Sequence, residues 1–112
     1  MTQCLFCEIA AGKIPSKKVD ETNFLFAFHD IHPQAPVHIL IIPKKHISKL
    51  SELTAGDVQL MGEITAFANQ IASIQKLTDY RLVVNNGAEA GQTVFHLHVH
   101  LLAGRKMNWP PG

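Results

Sequence analysis

Long apolar runs are missing from this 112-residue sequence. Nothing approaches the roughly 18–20 consecutive apolar residues that cross a bilayer, and Met1-Thr2-Gln3 has no basic stretch of the kind that opens a secretory leader. The expectation is a cytoplasmic protein with no membrane partner. Surplus charge is missing as well: the formal net charge is +1 and charged residues make up 17%, so nothing marks a binder of nucleic acid or of anionic lipid. Cysteine is scarce, yet the two present form Cys4-x-x-Cys7. In a reducing compartment that spacing points to metal binding or redox chemistry before a structural disulfide. No strand precedes it, which weakens a thioredoxin-like reading. There is no repeat, linker or low-complexity segment, so residues 1–112 read as one domain, small for a deep catalytic cleft unless it dimerises.

What the sequence has in excess is histidine, seven residues in two groups: His29, His32, His38 and His46, then His96, His98 and His100. The second group lies in His96-Leu97-His98-Val99-His100-Leu101-Leu102. Strict alternation of polar and apolar residues is the period of a half-buried strand. It predicts a strand from His96 to Leu102, with three imidazoles in a row on one face, roughly 6.5–7 Å apart, and Leu97, Val99 and Leu101 anchored in a core. A solvent-facing stripe would favour Lys, Glu or Thr over three histidines. A metal site is the stronger rival, because neutral imidazoles at i and i+2 can chelate one ion.

The remaining elements follow from apolar spacing and breakers. Leu5 to Ala11 suggests a short helix stopped by Gly12 and Pro15. Lys17 to Asp20 suits an edge strand, and Phe24 to Phe28 is a β-rich run that ends in a loop constrained by Pro33 and Pro36. Val37 to Ile42, closed by Pro43, is a strand interrupted by His38. Its histidine is as well explained by function as by a satisfied place in the core. Thr54 resembles an N-cap. Val58, Met61, Ile64, Phe67, Ala68, Ile71 and Ile74 then recur at helical spacing over about five turns. Tyr80 to Asn85 is a further strand, joined by a short glycine-bearing loop to the histidine strand, which makes antiparallel pairing economical.

Neutral imidazole is a nucleophile toward phosphorus when its other nitrogen is tied down and fixed donors face the developing charge. His98, with a histidine on either side, is the natural nucleophile. The His-x-His-x-His-x-x pattern with apolar x resembles the signature of the histidine triad superfamily. Phe28-His29-Asp30-Ile31, Pro33-Gln34-Ala35-Pro36, His38, Ile42-Pro43-Lys44-Lys45-His46-Ile47, Tyr80 to Asn85, Gly91-Gln92-Thr93-Val94 and Trp109-Pro110-Pro111-Gly112 extend the resemblance to its nucleotide-binding branch over essentially the whole chain.

That resemblance implies an α+β fold: a five-stranded antiparallel sheet with one long and one short helix, the sheet continued across a homodimer. It implies hydrolysis of purine nucleoside phosphoramidates, or of aminoacyl adenylates, to a nucleoside monophosphate through a nucleotidyl-histidine. In that scheme His98 attacks the α-phosphorus, His100 contacts the phosphate and shares in proton transfer, His38 stands behind it, and His96 orients. Asn85, Gln92 and Thr93, with the backbone at Gly91, would hold phosphate oxygens, and Asp30 the ribose hydroxyls. Phe6, Ile9, Ile14, Phe28 and Ile31 would line the base pocket, and the tail bearing Trp109 would reach the partner's site.

No cofactor is needed for that chemistry. Cys4 and Cys7 with His46 and His96 look like the zinc set of other superfamily members, a closed structural site. The alternative is two buried cysteines beside a surface histidine. His29 and His32 read as solvated loop positions. Two other functions compete: a nucleotide-binding regulatory module with incidental turnover, and a metallohydrolase using His38, His96, His98 and His100 directly.

Overall fold

The computed structural model describes residues 4–112. It contains, in order, α1 (Leu5–Ala10), β1 (Lys18–Glu21), β2 (Leu25–His29), β3 (Val37–Pro43), α2 (Val58–Ile74), β4 (Tyr80–Val83) and β5 (Val99–Ala103), with short 3₁₀ turns at Leu50–Glu52, Ala55–Asp57 and Ala88–Ala90. The strands form one antiparallel sheet in the order β1-β2-β3-β5-β4. This is the expected α+β architecture of five strands, one long helix and one short one. Among the described residues no helix is long and apolar enough to cross a membrane.

Parity along the strands decides which face each side chain serves. Leu25 and Ala27 of β2, Ile39 and Ile41 of β3, and Val99 and Leu101 of β5 pack against Ile64, Phe67, Ala68 and Ile71 of α2. The intervening residues Phe26, Phe28, Leu40 and Ile42 face the other way and pack against Phe6 and Ile9 of α1. Covered on both faces, β2 and β3 carry near-continuous apolar runs instead of an alternation. His38 has the parity of Leu40, which itself stands opposite His100 in the β3–β5 register. Both histidines therefore emerge on the α1 face, the side away from the long helix.

Several boundaries differ from expectation for local reasons. The histidine strand begins at Val99 and not at His96. Leu97 gives its N–H to the Ile47 carbonyl at 2.6 Å and the His96 ring reaches the Pro43 carbonyl. Residues 96–98 are thus tied to the end of β3 and the segment beyond it before ladder pairing starts. β4 likewise stops at Val83. The helix proper starts at Val58, directly after the 3₁₀ turn Ala55–Asp57 that Thr54 caps. The Thr54 N–H and Oγ1 donate to Asp57 Oδ2 at 3.0 and 2.9 Å, and Lys45 Nζ lies 2.7 Å from Asp57 Oδ1. Lys45 first, then the Thr54 bonds, hold the Asp57 carboxyl down to about 2.

Candidate active site and metal cluster

Four imidazoles lie along the α1 face, and backbone groups dictate where their protons sit. The His96 carbonyl can only accept, so the contact of 2.7 Å from His98 Nδ1 is an N–H donated to it. In the neutral ring the lone pair is then on Nε2. At His38 the logic is reversed. The Gln34 N–H donates to His38 Nδ1 at 3.0 Å, so the proton is on Nε2, and it is donated to His100 Nδ1 at 2.9 Å. His100 therefore carries its own proton on Nε2. Asp30 Oδ2, 3.4 Å from His38 Nε2, attracts the same proton.

Electrostatics keeps this relay neutral. Burial, then repulsion from His98 and His38, pushes the His100 imidazole down to about 4, with Asp30 opposing. Burial lowers His38 as well, again against the pull of Asp30. The resulting pair is complementary: a ring with a free lone pair, His98, stands beside one that donates, His100, their centroids 5.0 Å apart. The rings lean together more closely than a flat strand would place them, because His98 precedes the ladder.

His96 is fully buried and belongs to a second cluster. Its Nε2–H donates to the Pro43 carbonyl at 2.7 Å, and burial holds the ring below the usual imidazole range. Its Nδ1 lone pair then meets Cys4 Sγ at 3.2 Å, Cys7 Sγ at 3.5 Å and His46 Nδ1 at 3.2 Å. All four donor atoms lie within 4.8 Å of one another. Burial, then the neighbouring Cys4, pushes the Cys7 thiol up to about 11, the resistance to ionisation that a cation between two thiols removes. Tetrahedral zinc with bonds of about 2.0–2.3 Å has edges of roughly 3.3–3.8 Å, so this donor set fits the ion. Asp30, His38 and His100 also cluster within 4.8 Å. They suit a metal poorly, because the Gln34 N–H occupies one His38 nitrogen and leaves the proton on the nitrogen that would have to ligate. A metallohydrolase built on the triad is disfavoured for the same reason.

The other expected substrate residues are distributed unevenly. Asp30, Ile31 and His38 line one cavity of ≈ 430 Å³ with Lys17, His29, Pro33 and Pro36. Ile9 and Ile14 open onto a different one of ≈ 360 Å³, while Phe6 and Phe28 are closed in the α1-side core with their rings 5.4 Å apart. The expected base wall is therefore split. Ile31 is 84% exposed on its loop and Trp109 82% exposed on the tail. Asn85 packs under Gly91, whose φ of +102° only glycine adopts readily. Thr93 lies with Cys4, His46 and Ser48 around a cavity beside the cysteine cluster.

Gln92 departs from its expected role on the phosphate. It is 3% exposed, its Oε1 accepts from the Gly87 N–H at 2.8 Å, and its Nε2 donates to the Ser48 and Val94 carbonyls at 2.9 and 3.0 Å. Both amide hydrogens are engaged, so the side chain pins the loop and has no donor left for a ligand. Sequence reasoning missed Gln34, Pro43 and Ile47, which act through backbone groups. Pro33 and Pro36 around Gln34 were the one available signal.

Compared with known proteins, the chain matches the HIT domain over residues 11–107. An uncharacterised HIT-like protein of Synechocystis is 49% identical over 109 residues, 96% of each chain. A crystal structure of a HIT family hydrolase from Legionella pneumophila superposes with a TM-score of 0.96 at 48% identity, covering 98% of this chain and 100% of that one. A histidine triad nucleotide-binding protein from Candida albicans gives 0.82 at 35% identity, over 96% of this chain and 83% of that one.

Proposed function

Because this chain belongs to the HIT domain family, we propose that it is a hydrolase that cleaves the phosphorus–nitrogen bond of purine nucleoside phosphoramidates, or the mixed anhydride of aminoacyl adenylates. The observation that carries the reading is the His98 Nδ1–H fixed on the His96 carbonyl at 2.7 Å, which leaves Nε2 without a proton in a ring whose neighbour, His100, lies 5.0 Å away between centroids.

In the first step a bond forms between His98 Nε2 and the α-phosphorus as the P–N bond breaks. The amine leaves with a proton taken from solvent. His98 keeps its Nδ1–H and becomes cationic, and the His96 carbonyl stabilises that charge where it develops. The His100 N–H donates to a phosphate oxygen. Water then attacks phosphorus, the His98–P bond breaks, and the proton released restores the one consumed. Nucleoside monophosphate and free His98 remain. Asp30, which lines the same cavity as His38, is placed to accept from ribose hydroxyls.

A zinc ion held by Cys4, Cys7, His46 and His96 would supply a cross-link and no catalytic water, since four protein donors close the coordination. Two free cysteines suit a reducing compartment, and the cytoplasm is the proposed location. The chain is also proposed to dimerise through the outer edge of β4, where Leu82 is 37% exposed and a partner's β4 would extend the sheet.

The test is intact-protein mass spectrometry after brief mixing with an adenosine phosphoramidate and a mildly alkaline quench. The expected result is an AMP-sized addition on the peptide containing His98, decaying as AMP accumulates and absent in His98→Ala. Full turnover by His98→Ala would overturn the reading. Bound nucleotide with neither adduct nor AMP would establish the binding module instead.

A further inference from the structure

α1 precedes the matched residues 11–107 and carries two kinds of residue. Cys4, which caps it by accepting the Cys7 N–H at 3.4 Å on its sulfur, and Cys7 point into the donor cluster. Phe6, between them, turns to the sheet, where it is 5% exposed. Its ring meets His96 at 6.0 Å and His98 edge-on at 5.1 Å, with an interplanar angle of 86°. Phe28 closes on its other side.

Two physical links thus run from the metal cluster to the nucleophile. One is the His96 residue itself, whose ring faces the thiols while its carbonyl holds the His98 N–H. The other is the Phe6 ring, fixed at its flanks by two prospective metal ligands one helical turn apart.

We infer that Phe6 is a positioning residue through which occupation of the Cys4/Cys7/His46/His96 cluster by a metal and binding of a nucleotide at His98 strengthen each other. The inference rests on the nucleotide reading above. α1 is only six residues long, far below the length at which a helix is stable in isolation, so its ordering depends on what it contacts. A metal that joins its cysteines to His96 and His46 fixes the helix, presses Phe6 against His98 and limits the ring's rotation. A nucleotide that holds His98 in the same orientation favours the same placement of α1. Coupling of this kind is reciprocal: each ligand must tighten the other by the same factor.

The experiment is calorimetric titration of AMP into zinc-loaded and zinc-stripped protein, with zinc affinity measured by chelator competition in the presence and absence of AMP. Zinc is expected to tighten AMP at least about fivefold and AMP to tighten zinc by an equal factor. In Phe6→Leu zinc still binds but both ratios fall below about twofold. AMP affinities that agree within about twofold for loaded and stripped wild type overturn the inference and leave the nucleotide reading intact. Failure of AMP to bind either form overturns both. Should the stripped chain unfold, cobalt(II)-loaded protein provides the same test: AMP is expected to shift the cobalt absorption bands in wild type and not in Phe6→Leu, and unshifted wild-type bands overturn the inference.

Discussion

The buried histidine relay should make the fold sensitive to acid, and His100 sets the size of the effect. In the folded chain burial and two neighbouring imidazoles hold it down to about 4, whereas an unfolded histidine titrates near 6.5. The depressed value means that the stabilising contribution is fully present above the unfolded pKa and is lost as pH falls from about 6.5 toward about 4. Over that window the unfolded chain takes up a proton that the folded chain refuses. Between pH 7.5 and pH 5.0 this linkage amounts to about 2 kcal/mol. Burial lowers His38 and His96 too, so they act in the same direction. The assay is urea unfolding of wild type and His100→Gln at the two pH values, both in chelator so that metal loss is common to the pair. Wild type should lose about 2 kcal/mol more than the variant on acidification. Equal losses would show that His100 titrates freely in the folded state and would refute the relay's proton assignment.

Three other outcomes are expected. Gly104→Ala should lower the thermal midpoint by the equivalent of about 1–3 kcal/mol, since at φ +95° a Cβ there would stand 2.8 Å from the Pro36 Cβ; an unchanged melt would count against this packing. Native mass spectrometry should find one zinc per chain, absent in Cys7→Ser, and chelation should lower the thermal midpoint without abolishing AMP binding; wild type purified and reconstituted without zinc uptake would refute the cluster's role. Sedimentation at micromolar concentration should give twice the 12.4 kDa chain mass, reduced toward the monomer in Leu82→Glu; a monomeric wild type would refute pairing through β4.

Much of the fold is legible in the sequence because period encodes face. Apolar residues every three or four positions mark α2, and the Leu97/Val99/Leu101 alternation correctly separates the core side of the last strand from the histidine side. What escaped is carried by backbone atoms. The His96 carbonyl that fixes His98, the Gln34 N–H that sets the His38 tautomer and the Pro43 carbonyl that seats His96 belong to groups that every residue, or nearly every residue, possesses, so residue type carries no signal for them. Gln92 misled for the opposite reason: its type suits a phosphate contact, while its burial commits it to three backbone partners. The strand's start at Val99 was hidden too, since alternation continues unbroken through residues tied to Pro43 at the end of β3 and to Ile47 beyond it, and not to the ladder.

The cysteine cluster also has a consequence for biosynthesis. Cys4 and the His96 ring that meets it are 92 positions apart, so a growing chain displays both thiols, and then His46, long before the last member of the cluster exists. At the usual elongation rate of about 5–20 residues per second that interval lasts on the order of 5–20 s. During it α1 can meet β2 and β3 beneath Phe6 but lacks β5 and the imidazole of His96, and the donor set is one member short. Emergence of the His96–His100 segment ends that exposure, and the nucleophile's surroundings are completed by the same stretch of synthesis.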